Sequence, residues 1–427
     1  FSLGWNVARE NFWKPLESVV NQFKLRGSWG ELGNQNTSNL YPFYEILPVK
    51  SNSGNWLVNG GKTNTADIPS LVSTLLTWER VRSFNVGFDF GAFSNRLTGS
   101  FDYFVRKTVD MVGPAPQLPL VLGIAPAIVN NADMKSYGFE IELSWRDRIG
   151  EVDYGVKFNL ADAQQKVVKY PNTTNAFSDW YAGKMSGEIW GYTSLGIAKT
   201  DEEMKEHLAS LPNGGQNQLG NKWGAGDIMY ADINGDGKID GGKGTLADPG
   251  DQRIIGNSTP RYNFGLVLDA SYKGFDVSIF FQGVGKRDYA PIVGTNGAVF
   301  WGAVNNIWQS MAMEEHFDYF RPEGHPMGAN LNGYYPRPDF TSNKNHQVQT
   351  RYLQDASYIR LKNLQIGYTL PKQWINKLHI NRCRVYVSGD NLWTGTSLAS
   401  MFDPETLAAG DWGSGTVSYT HLTLPTI

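Results

Sequence analysis

The chain has 427 residues, room for one large core or two to three ordinary domains, and a formal net charge of −3. Only 19% of it is charged, so no basic stripe exists to neutralise phosphates, and the balance argues against nucleic acid as a partner. A single cysteine, Cys383, excludes an intramolecular disulfide framework and any cysteine-based metal cluster. With 47 Gly, 14 Trp and 20 Tyr, the composition is that of a turn-rich, aromatic-rich all-β chain. No stretch is apolar for long enough to make a transmembrane helix. The closest, 113–129, is cut by Pro114, Pro116, Pro119 and Pro126 and reads as a loop. The chain opens in mid-strand at Phe1 without an initiator Met or signal peptide, so it is read as a piece of something longer.

In chain order, Phe1, Leu3, Trp5 and Val7 alternate with other residues, and Phe23, Leu25, Gly27 and Trp29 do so after a modest connection. A polar, Asn- and Gly-rich segment fills 31–77. Phe84, Val86, Phe88 and Phe90 then turn at Ser94-Asn95 into Leu97, Gly99, Phe101, Tyr103 and Val105. After a long segment comes the clearest pattern: Tyr137, Phe139, Ile141, Leu143 and Trp145, a turn, then Val152, Tyr154, Val156, Phe158 and Leu160. Glu140, Glu142, Asp153 and Lys157 fall between them. Period two predicts two antiparallel strands with one apolar and one polar face. The longest irregular region, 161–251, leads to a hairpin of Tyr262–Tyr272 and Phe275–Phe281 alternation around Lys273-Gly274. Two more strands are expected at 358–370 and 382–393, with a phase slip between Leu361 and Leu364 that predicts a β-bulge.

The connections alternate between short and long through the whole series. A membrane barrel has short turns at one end and long loops at the other, whereas a soluble sandwich has no reason to keep that rule. The row Tyr262–Tyr272 spans ten steps of ~3.4 Å, which a ~40° tilt reduces to ~26 Å, close to an apolar band of ~25 Å. The expected fold is therefore all-β, a partial transmembrane antiparallel β-barrel of about ten strands with long extracellular loops. Phe139, Ile141, Leu143, Val156 and Phe158 are expected to face lipid, and Glu140, Glu142, Asp153 and Lys157 the lumen.

Several runs resemble the late barrel of the SusC/RagA family of TonB-linked outer membrane proteins. They are D-I-N-G-D-G-K-I-D at 232–240, I-G-N-S-T-P-R-Y at 255–262, T-W-E at 77–79, S-Y-I-R-L-K-N-L-Q-I-G-Y-T-L-P at 357–371 and V-Y-V-S-G-D-N-L-W-T at 385–394. The resemblance covers 1–416 as the C-terminal part of a TonB-dependent-receptor barrel. It implies an outer-membrane nutrient importer in a Gram-negative bacterium, with a plugged barrel of about 22 strands. It also implies a SusD-like lipoprotein partner, an oligosaccharide or peptide substrate, and TonB reached through an N-terminal region missing here. Residues 417–427 resemble the in-frame translation of a sequencing-library adapter and are expected to stay out of the fold. A non-transporting barrel or adhesin, whose loops bind a surface partner, is the other reading.

No catalytic arrangement emerges, and the chain is not read as an enzyme. The histidines are scattered without metal-ligand spacing, and no serine sits in a nucleophile elbow. The run at 232–240 does place oxygen ligands as an EF-hand-type calcium loop would. Asp232, Asn234 and Asp236 supply side chains, Lys238 its carbonyl and Asp240 a ninth-position contact, with Gly237 at the sharp turn. The twelfth position is Lys243, so a last ligand would come from Asp248 or Asp251. The alternative is a glycine-rich turn whose Asx side chains cap their own backbone. The long segments are also rich in aromatics. Trp190 and Trp301 are candidates for stacking on sugar rings, against the alternative that such rings pack the loops together.

Overall fold

A computed structural model of the chain describes residues 1–34, 44–69, 71–73, 76–113, 121, 124, 127–291, 294–304, 313–340, 343–375 and 380–407. Ten antiparallel strands form one sheet in chain order. They are β1 (Ser2–Asn6), β2 (Val20–Asn34), β3 (Glu79–Ala92), β4 (Leu97–Gly113), β5 (Val129–Ile149), β6 (Val152–Lys169), β7 (Arg261–Tyr272), β8 (Phe275–Lys286), β9 (Tyr358–Thr369) and β10 (Arg384–Thr396). Among the described residues no helix is long and apolar enough to cross a membrane. The expected tail at 417–427 lies outside the described residues, as does His379.

Each expected strand is present, and several run further than their apolar pattern. β5 and β6 stay paired beyond the periodic stretch, through Gln164 opposite Tyr137 and Lys166 opposite Lys135. The backbone ladder needs no apolar side chain, so hydrophobic periodicity underestimates strand length wherever a sheet rises into water. The phase slip in β9 is a bulge: Leu361 and Asn363 take successive partners on β8, Phe281 and Phe280, and Lys362 is the extra residue. Lys273 and Gly274 both take positive φ, 46° and 89°, the geometry of a two-residue hairpin turn. The turn expected at Ser94-Asn95 is wider. Phe93 joins Ser94 and Asn95 at positive φ (52°, 59° and 63°).

The register sorts the side chains onto two faces. Leu25, Phe88, Phe101, Ile141, Leu160, Phe264 and their neighbours share one. Its aromatic rings run continuously across four strands: Phe23 to Phe88 at 5.7 Å, Phe88 to Phe101 at 5.6 Å, Phe101 to Phe139 at 6.5 Å. The opposite face carries Arg26, Asp89, Asp102, Glu140, Glu142 and Lys157. Four concavities, of about 610, 630, 750 and 300 Å³, all open among polar-face residues.

The turns at 93–96, 150–151 and 273–274 and the strand ends Thr369 and Arg384 lie at one end with the segment 7–19. Phe93 N–H donates to Val19 O at 2.8 Å and closes that end. The strand ends that the long connections join, Asn34 and Glu79, Gly113 and Val129, Lys169 and Arg261, Lys286 and Tyr358, lie at the other. The described residues between Lys169 and Arg261 and between Lys286 and Tyr358, with 397–407, fold together rather than splaying out. Tyr192, Ile228, Tyr230, Phe300, Tyr335, Tyr352, Phe402 and others form one buried apolar cluster there. Backbone bonds stitch the two long loops, Tyr192 N–H to Val348 O at 2.8 Å and Thr350 N–H to Tyr192 O at 3.0 Å.

Candidate functional site

The polar face is a wall of charges braced across strands. On β2, Arg26 reaches over β3 to Asp102 on β4 at 2.8 Å, and also holds Asp89 at 2.9 Å. The residue lying between Arg26 and Asp102 is Gly87. A Cβ there would strike the Asp102 carboxylate and Phe101 O, so the glycine opens the slot the guanidinium crosses. The same device recurs on the far strands. Arg384 passes over Gly367 to grip Asp276, and also donates to Gln365 Oε1 at 3.0 Å. Between these braces lies the concavity of about 610 Å³, floored by Asp89, Ser100, Glu142, Lys157 and Asn159. Glu140 and Glu142 are exposed on this face, while Ile141 lies opposite Phe101 and Leu160 on the other. The split into two faces read from the sequence holds.

The loop layer above is organised by Asp227, which is fully buried. Its carboxylate accepts from Arg337 at 2.8 and 2.6 Å, from Lys344 Nζ at 2.9 Å, from Asn345 Nδ2 at 3.0 Å and from Gly224 N–H at 2.9 Å. Lys344 is itself 1% exposed and stands 5.0 Å from the Trp223 ring centre. Asn345 and Gln216 complete the ladder by taking Ile228 and Tyr230 N–H at 2.9 and 2.6 Å. Nothing in the sequence flagged Asp227. Its cations lie more than a hundred positions away and only the fold brings them together. Burial pushes the hydroxyls of Tyr230, Tyr335 and Tyr352 up, so all three stay neutral.

Trp301, a candidate sugar platform, is 1% exposed and packed against Phe300, Tyr335, His346 and Tyr352. This corrects the stacking expectation: its ring has no open face and fills the loop core. Trp190 is half-buried, with Phe177 stacked on it at 4.5 Å and 17°. That face of its ring is already taken. His346 beside Trp301 is 8% exposed, and burial pushes its imidazolium down to about 4.

The acidic loop is tightly self-bonded. Asp232 Oδ1 and Oδ2 accept from Gly235 and Gly237 N–H at 2.6 and 2.8 Å. Asn234 Oδ1 takes Asp236 N–H at 3.0 Å, and Asp236 Oδ1 takes Lys238 N–H at 3.1 Å. Lys238 Nζ lies 2.5 Å from Asp240 Oδ2 and holds that carboxyl below its usual range. Asp251 is fully buried beneath them, accepting Ile233 and Asp240 N–H at 2.8 and 2.9 Å; burial pushes its carboxyl up. Among the described residues no three His, Cys, Asp or Glu side chains converge as a ready ligand set.

Comparison with known proteins places this architecture. The family described as "TonB dependent receptor-like, beta-barrel" matches residues 1–392. TonB-dependent receptor P3 of Formosa agariphila is 29% identical over 95% of this chain and 38% of its own length. TonB-dependent receptor SusC of Bacteroides thetaiotaomicron is 22% identical over 87% of this chain and 34% of its own. The chain thus spans less than two fifths of either relative. The RagAB peptide importer in its open-open state has the same fold, with a TM-score of 0.69 at 21% identity, over 97% of this chain and 40% of that one. With the family matched over nine tenths of its length and a two-faced antiparallel wall of ten strands, the chain belongs to the TonB-dependent receptor-like β-barrel family.

Proposed function

We propose that the chain is the barrel wall and surface-loop layer of an outer-membrane importer driven through TonB. One observation carries this reading: a single sheet with an unbroken aromatic row on one face and braced charges around open concavities on the other. Lipid covers the first face and a wet lumen the second. The family consists of outer-membrane transport proteins rather than enzymes. The likeness to SusC and to the RagAB peptide importer supports a SusD-like lipoprotein over the loop end and an oligosaccharide or peptide as cargo. Deleting the gene for the full-length receptor, or its TonB-contacting segment, should abolish saturable uptake of such a cargo. Unchanged uptake, with surface binding lost, contradicts this and favours a non-transporting adhesin.

Within the loop layer, the segment 232–240 is proposed to hold a calcium ion. Asp232, Asn234, Asp236 and Asp240 offer side-chain oxygens and Lys238 its carbonyl, the hard donors such an ion takes. Lys238 Nζ would then leave Asp240. Asp251 anchors the loop from below through the backbone N–H groups of Ile233, Asn234 and Asp240 rather than filling the twelfth position. Calorimetric titration of the full-length receptor with calcium, against an Asp232→Ala, Asp236→Ala variant, tests this. Equal heats mean the carboxylates only cap the turn.

A further inference from the structure

On the apolar face, Trp29, Phe84, Val105 and Tyr137 lie in one cross-strand row on β2–β5. Two residues further toward the long-loop end, the row changes character. Glu31 stands opposite Arg82, Arg82 opposite Lys107, Lys107 opposite Lys135, and Lys135 opposite Lys166. Four cations therefore stand side by side on β3–β6, one per strand, across about 14 Å at a strand spacing of ~4.8 Å. Backbone pairing fixes this placement whatever rotamers the side chains take.

Like charges directly opposite one another destabilise a sheet, and the neighbours compensate them only in part. Arg82 Nε is 2.7 Å from Glu31, and Lys107 Nζ is 4.0 Å from Asp133, with Arg82 and Lys107 side chains 41% and 42% exposed. Among the described residues Lys135 and Lys166 have no carboxylate partner; Lys135 Nζ stands 5.3 Å from the Tyr137 ring centre. Aromatic residues mark the depth where hydrocarbon gives way to headgroups. A row two residues beyond them, ~7 Å along the strand, lies among the headgroups.

We infer that Arg82, Lys107, Lys135 and Lys166 bind the phosphates of a multiply phosphorylated lipid in the leaflet at the long-loop end, an inference resting on the membrane reading above. Several cations at headgroup depth attract anionic headgroups, and the apolar row beneath covers the acyl chains. Free phosphate lacks those chains and gains nothing from that row.

The test uses the full-length receptor in nanodiscs, with diphosphoryl lipid A, its dephosphorylated form and inorganic phosphate as probes. A Lys107→Gln, Lys135→Gln, Lys166→Gln variant should lose at least tenfold in affinity for the diphosphoryl lipid. A Lys157→Gln variant, altered on the polar face, should bind like the unchanged protein. The dephosphorylated lipid should bind no better to the unchanged protein than to the triple variant, and inorganic phosphate should not compete. Heat-shift electrophoresis selects folded protein for each measurement. Equal binding by the triple variant, equal loss in Lys157→Gln, equal binding of the dephosphorylated lipid or competition by phosphate would each overturn the inference. A probe on Ile141→Cys, made in a Cys383→Ser background, separates the two levels. If it reports water the membrane reading has failed; if it reports hydrocarbon while the triple variant binds normally, only the lipid site has.

Discussion

Ile141 and Glu140 are adjacent in sequence and lie on opposite faces of the sheet. Ile141 meets Phe101 and Leu160 across the apolar face, and Glu140 meets Asp102 and Ala161 on the polar one. Ile141→Arg should destabilise the barrel by ~2–4 kcal/mol if the position lies near the bilayer midplane, whereas Glu140→Arg should cost little; urea titration in lipid vesicles reads both. His346 makes a different prediction because it titrates. Its folded value is about 4 against an ordinary 6.5, with Asp339 the charge that opposes the shift. Between those values the unfolded loops bind the proton and the folded ones refuse it, so stability rises with pH across that window. The loop layer should keep its full stability above pH 6.5 and lose ~3 kcal/mol as the pH falls to 4, at ~1.4 kcal/mol per unit. Amide exchange at Ile228 and Tyr230 should show this, and a His346→Phe variant should flatten it. Asp227 is the most exacting residue of the layer. Asp227→Ala leaves the buried Lys344 ammonium and Arg337 without their shared carboxylate, at a cost of ~3–5 kcal/mol. Limited proteolysis should then cut the loops while sparing the strands.

Strands were legible because their apolar side chains alternate, and the bulge in β9 was legible because that alternation slips. What alternation could not reveal is where a strand ends once its side chains turn polar, as at Gln164 and Lys166. The loop layer was less readable. Tyr192, Phe300, Tyr335 and Phe402 belong to one core yet sit on three separate segments, and no local pattern encodes that meeting. Trp301 illustrates the consequence. Its residue type suits a sugar platform equally well, and only the packing of Tyr335, His346 and Tyr352 around it assigns it to the core. The bulge gives an element-level prediction. Lys362→Ala removes only a partly exposed pair with Glu405, 2.8 Å apart, worth no more than about 1 kcal/mol. Deleting Lys362 removes the extra residue, so Leu361 and Asn363 follow one another opposite Phe281 and Phe280 and the side chains beyond keep their faces. Heat-shift electrophoresis should show folded barrel for both, and loss of the folded band on deletion would contradict the assignment of Lys362 as the bulged residue.

At the scale of the molecule, the ten-stranded sheet is open, with β1 and β10 at its two edges. Leu3 is 79% exposed on one and Val387 66% on the other, and bare edges of this kind pair with other chains. Expressed alone, these residues should aggregate and support no saturable uptake, whereas the full-length receptor should do both folding and transport. The polar braces at Arg26 and Arg384, the loop layer and the cationic row all presuppose one arrangement: lipid on one face, water on the other. Single cysteines placed along 139–143 and 153–158 of the full-length receptor, in the native membrane, test it most directly with a membrane-impermeant maleimide. Positions 140, 142, 153 and 157 should react and positions 139, 141, 143, 156 and 158 should stay protected. Equal reaction at both sets, or protection of the carboxylate positions alone, would contradict the account.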